Sequence, residues 1–169
     1  GKGEVIDIGN LTKELLSREY IDPDQIFIMG YSRGAHNALL AVERFSFFKA
    51  AALWSTPVDM FEHVKVNPWI AYMFGGSAEE FPEEYKIRSS IYYVDKIDCP
   101  LLIIHGKSDN VVPVSHSLEL AKALDKHNKP YELKVYPEEG HIWSPYAFSE
   151  NWHLTMDFFQ RYIKKSENA

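Results

Sequence analysis

A single cysteine, Cys99, stands among the 169 residues. No disulfide can form within the chain, and a cytoplasmic location is the expectation that follows. Positive charge is in deficit, with 18 Lys and Arg against 24 Asp and Glu and a formal net charge of −6. That balance argues against a nucleic-acid partner. No apolar run approaches the length needed to span a bilayer, so no membrane partner is expected. Neither H-E-x-x-H nor H-x-x-E-H occurs, and His36, His63, His105, His116, His127 and His153 lack metal-ligand spacing. No metal and no cofactor is expected. There is no repeat, low-complexity tract or linker. With 46% hydrophobic residues the chain reads as one domain, 1–169, able to bury a substantial core.

Against these absences one feature stands out. Gly30-Tyr31-Ser32-Arg33-Gly34 is a G-x-S-x-G motif preceded by the apolar run Ile26-Phe27-Ile28-Met29 and followed by an amphipathic segment, Ala35 to Phe45. Strand, sharp turn and helix form the context in which a serine is presented as a nucleophile. Side chains at Gly30 and Gly34 are expected to collide with neighbouring backbone there. A serine in this place could instead serve as a helix N-cap.

Two further signals fall downstream in the order Ser, Asp, His. Pro100 to Gly106 reads as a buried strand, and Asp109 lies in the loop after it. Tyr131 to Tyr136 alternates as a half-exposed strand does, and the following loop, Pro137-Glu138-Glu139-Gly140-His141, ends on a histidine. The spacings, 109 − 32 = 77 and 141 − 109 = 32, leave room for crossover units between strands. In a parallel sheet the loops after the strands gather along one edge, where sites form. Asp109 could merely shape a turn with Asn110, and His141 could be a surface loop residue. Asp95 and Asp98 are weaker rivals for the acid, since they precede their strand.

The rest alternates helix and strand. Val5, Ile8, Leu11, Leu15 and Leu16 make a helical stripe that Asp22-Pro23 is expected to end. A strand is expected at Ala50 to Trp54, and the aromatic-rich residues 57 to 95 read as irregular. A helix with Val114, Leu118, Ala121 and Leu124 on one face follows the strand at Leu101. The last helix carries Trp152, Met156, Phe159 and Ile163. Such alternation implies parallel pairing through right-handed crossovers. Gly75-Gly76 marks a turn or hinge, and Glu79, Glu80, Glu83 and Glu84 read as a solvated acidic face.

The stretches Asp22 to Gly34, His105 to Pro113 and Tyr136 to His141 resemble the catalytic domain of the prolyl oligopeptidase family of serine peptidases. The likeness runs from about Glu4 to Lys165. It implies an α/β-hydrolase fold: a three-layer parallel sheet, here its second half, about four strands with flanking helices. It departs in one motif, since the family often places a second glycine where Ala35 stands. The family's domain also begins well before the position matching Glu4, so the chain is expected to be truncated at its start. The absence of a signal peptide then carries no argument.

The chemistry expected is acyl transfer on a peptide or small ester, with Ser32 as nucleophile, His141 as base and Asp109 as orienting acid. The backbone N–H of Arg33 would supply one oxyanion donor. A second donor normally comes from a loop upstream of the matched region. Tyr31, Trp69 and Trp143 are candidate substrate-binding residues, from a set of aromatics any one of which could simply fill core. Peptide hydrolysis of the prolyl oligopeptidase type is the leading expectation. A carboxylesterase, or a non-catalytic half-domain that needs a partner, are the alternatives. The strand at Ile26 is expected to lack its upstream neighbour, and Trp152, Phe158 and Phe159 to be partly uncovered. From this the chain is expected not to be a stable isolated monomer, but to pair with a second copy or with a missing N-terminal segment.

Overall fold

A computed structural model describes residues 2–163; Lys165, where the family resemblance ends, lies outside them. Four parallel strands lie in the order β1-β2-β3-β4: β1 Ile26–Tyr31, β2 Phe48–Trp54, β3 Leu101–Gly106 and β4 Tyr131–Tyr136. The register runs Met29 to Ala52 to Leu102 to Glu132. The inner strands β2 and β3 are buried almost throughout, which is why they read as continuous apolar runs. Among the described residues β4 pairs with β3 alone, and it alternates because Glu132 and Lys134 face solvent. β1 pairs with β2 alone among the described residues.

Side chains divide by parity. Ala51, Leu53, Leu101 and Ile103 face one core with Leu39, Leu120 and Leu124; Ala50, Ala52, Trp54, Leu102 and Ile104 face another with Phe158 and Phe159. The first layer is built by α1 (Lys2–Leu16), α2 (Arg33–Arg44) and α6 (Ser115–Lys126), the second by α7 (Pro145–Gln160). A sheet with an apolar set on each face is held by helices on both, the three-layer arrangement expected.

Several expectations change in detail. The first helix ends at Leu16, short of Asp22-Pro23. Ile163 lies beyond α7, which stops at Gln160. Phe158 and Phe159 are covered, because both lie in the second core and the Phe159 ring packs at a tilt against Phe27 of β1; Trp152 stays 45% exposed. Residues 57 to 95 are ordered as three short helices, α3 (Met60–Val66), α4 (Trp69–Phe74) and α5 (Pro82–Lys86), with two 3₁₀ turns at Ser90–Tyr92 and Val94–Lys96. Met60, Ile70 and Tyr85 give this segment a small core of its own.

Candidate active site

Strand pairing carries the chain into the site. Beyond β1 the Ser32 amide still donates to the Trp54 carbonyl (2.8 Å), and beyond β3 the Lys107 amide donates to the Tyr136 carbonyl (2.8 Å). The loops after β1, β3 and β4 are thus fastened at the carboxyl edge of the sheet.

Ser32 sits at φ 54°, ψ −121°, a backbone conformation that side chains rarely adopt. Gly30 makes it possible: a β-carbon there would collide with the backbone of Gly34 and Ala35. The steric argument does not extend to Gly34, where a β-carbon would meet nothing within 4 Å. Although Ser32 occupies the N-cap position of α2, its hydroxyl makes no cap bond. It lies 3.0 Å from His141 Nε2 instead.

Nδ1 of His141 lies 2.8 Å from Asp109 Oδ2. The Asp109 side chain is fully buried and His141's is 15% exposed. Oδ1 of Asp109 accepts from the amides of Val111 (2.9 Å) and Val112 (2.8 Å). Burial alone would raise the Asp109 pKa, but donation from His105, Val112, His141 and Val111 outweighs it, and the carboxyl is held well below the usual range. A carboxylate accepting from Nδ1–H fixes the imidazole with Nε2 facing the serine hydroxyl. The rival acids are elsewhere: Asp95 lies in the second 3₁₀ turn, and Asp98 precedes β3 and pairs with Lys129 at 3.3 Å.

The His141 loop is tied at both ends. The Glu139 carbonyl accepts from the Ser108 amide (2.9 Å), and its carboxylate accepts from the Ser144 amide (2.8 Å) and hydroxyl (2.6 Å) at the start of α7. Tyr31 donates its hydroxyl to the His141 carbonyl, and the two rings lie 5.2 Å apart.

A cavity of about 410 Å³ opens beside Ser32, walled chiefly by Met60, His63, Trp69, Ile70, Phe74 and Val111. Of the candidate substrate-binding aromatics, Trp69 is on this wall. Tyr31 and Trp143 line a different hollow, of about 270 Å³, with Met29, Trp54 and Phe148. Trp143 there packs edge-on against Tyr136. Arg33, in the first turn of α2, pairs its side chain with Glu4, and both residues line the same cavity as Trp69. His63 and Val111, not singled out from the sequence, belong to the cavity; neither lies at a spacing that would have flagged it. Among the described residues no group of three or more His, Cys, Asp or Glu side chains could hold a metal ion, and no helix is long and apolar enough to cross a membrane.

Among known proteins the chain has relatives in sequence and in fold. The model of the prolyl oligopeptidase family matches residues 1–166. The uncharacterized peptidase YtmA of Bacillus subtilis is 32% identical over 130 residues, 74% of this chain and 51% of YtmA. The inactive dipeptidyl peptidase 10 of Mus musculus is 29% identical over 167 residues, 98% of this chain and 21% of that protein. The acylaminoacyl peptidase of Pyrococcus horikoshii superposes with a TM-score of 0.86 at 24% identity, covering 98% of this chain and 28% of its own. The chain therefore spans about half the length of YtmA and about a fifth of the dipeptidyl peptidase.

Proposed function

The chain belongs to the prolyl oligopeptidase family, and on that footing we propose that it is a serine peptidase acting through Ser32, His141 and Asp109. The observation that carries this reading is the unbroken run of hydrogen-bond distances from Ser32 Oγ to His141 Nε2 (3.0 Å) and from His141 Nδ1 to Asp109 Oδ2 (2.8 Å). A relative named as inactive makes that run the deciding feature, since family membership by itself does not supply it.

In the proposed reaction His141 Nε2 takes the hydroxyl proton as Ser32 Oγ attacks the acyl carbon. Asp109 stabilises the imidazolium without accepting its proton. The oxygen that gains charge is met by the Arg33 backbone N–H, the donor next to the nucleophile. His141 then protonates the leaving amine, a covalent acyl-Ser32 remains, and water activated by the same imidazole releases it. A cavity of about 410 Å³ with mostly apolar walls supports a substrate carrying a large apolar side chain next to the scissile bond.

A fluorophosphonate probe tests the reading. Labelling at Ser32, abolished by His141→Ala, is the expected result. Absence of labelling in a folded protein would overturn it. Turnover of simple esters with none of any peptide would move the assignment to a carboxylesterase.

A further inference from the structure

His105 is a buried titratable group that the reaction as described does not use. It stands on β3 with its side chain on the same face as Leu101 and Ile103, fully shielded from solvent. Its Nε2 lies 2.8 Å from the Val112 carbonyl and 3.4 Å from Asp109 Oδ2, the oxygen that also holds His141. Its Nδ1 lies 2.6 Å from the hydroxyl of Ser117 on α6, itself fully buried.

The partners decide where the proton is. A carbonyl only accepts, so Nε2 carries a hydrogen, and on the imidazole Nδ1 is left to accept from the Ser117 hydroxyl. Nε2–H is thus given to Val112 O, with Asp109 Oδ2 3.4 Å from the same nitrogen.

We propose that His105 is a positioning residue for the Ser32 reaction: its Nε2–H lies against the Asp109 Oδ2 that also holds His141, and the Ser117 hydroxyl on its Nδ1 keeps the ring turned that way. The proposal rests on the triad reading above. Each donor to Oδ2 spreads part of the carboxylate charge. With His105 in place less of that charge falls on the His141 ring. Without it the imidazolium is favoured and the rate falls off at a higher pH.

Other titratable groups face the two rings: His116 of α6 feels His105 through space, and His63 of α3 feels His141. Tyr31 faces the His141 ring from the end of β1.

The test compares the full chain with four variants. His105→Phe keeps a ring and removes both nitrogens, and His105→Gln keeps a donor at the reach of Nε2. Ser117→Ala removes the hydroxyl, and Ser117→Thr restores it. Two quantities are read: the midpoint of the acid limb of fluorophosphonate labelling, and the midpoint of the His141 Cε1–H titration by NMR. His105→Phe and Ser117→Ala are expected to move both upward by about half a pH unit or more. Ser117→Thr and His105→Gln are expected to stay with the wild type. Folded His105→Phe protein with both midpoints unmoved overturns the proposal, and so does Ser117→Thr shifting as far as Ser117→Ala. Should wild type fail to label while the NMR midpoints move as expected, the acylation reading falls and the link from His105 to His141 stands.

Discussion

Gly106 and Glu139 meet backbone to backbone at the end of β3, where the Glu139 carbonyl lies in the space a β-carbon on Gly106 would occupy. The loop after β4 needs this closeness. Ser32 follows β1 and Asp109 follows β3, yet the histidine between them comes from β4, the far edge strand. Its loop must fold back across the end of β3, and the bare backbone of Gly106 lets it lie low enough for His141 to reach Ser32.

Gly106→Ala should therefore lift that loop. Fluorophosphonate labelling is expected to fall on the order of a hundredfold, because small misplacements at a reacting centre cost that much. Far-UV circular dichroism should stay unchanged. Labelling at the wild-type rate would mean the loop yields without moving His141.

Ser32→Ala and His141→Ala should each remove nearly all turnover, and the double variant should be little worse, since the two act as one unit. Asp109→Asn should lower kcat by roughly ten-thousandfold, by holding the imidazole in the wrong tautomer. Kinetics on one peptide substrate check all four proteins. Multiplying losses in the double variant would show that Ser32 and His141 act separately.

Glu43, near the far end of α2, tests a different property. Burial pushes its carboxyl up to about 7. A carboxyl raised on folding contributes its full stability below the unfolded value, near 4.3, and loses it as pH climbs through 7. Glu43→Gln should melt like the wild type near pH 4.5 and be more stable at pH 8, by on the order of 2 kcal/mol. Thermal melts at the two pH values decide it; equal melting at pH 8 would show that Glu43 ionises in the fold without penalty.

Trp54 donates its ring N–H to the Thr155 hydroxyl at 3.1 Å, joining β2 to α7 inside the second core. Thr155→Val preserves the shape and strands that donor, which should cost about 1–3 kcal/mol. Urea unfolding measures it. Thr155→Ser should recover part of the loss.

What could be read from the sequence was what repeats or recurs locally. The alternation of Tyr131 to Tyr136 reflects an edge strand with one solvated face, and the apolar run at Leu101 a strand buried on both. Ser32, Asp109 and His141 were legible because each directly follows such a strand. Segments of five to seven residues were not: α3, α4 and α5 are too short to show a period, and the contacts of Met60 with Ile70 and Tyr85 hold them in place. Trp69 and Trp143 look alike in the sequence, and only the fold sends Trp69 to the wall beside Ser32 and Trp143 against Tyr136. His105 and Ser117 lie twelve positions apart on a strand and a helix, and no motif links them; their pairing exists only once α6 has packed.

The strand order has a consequence in time. Because β1, β2, β3 and β4 lie side by side in the order they occur along the chain, no later strand is inserted between earlier ones. Synthesis proceeds from the N-terminus, and each new crossover can dock on what has already formed. Ser32 thus emerges before Asp109, and Asp109 before His141. On the proposed reading, a ribosome paused between the codons of Ser32 and His141 holds a chain whose serine has no base beside it, and of the four described strands β4 is the one that arms the loop after β1.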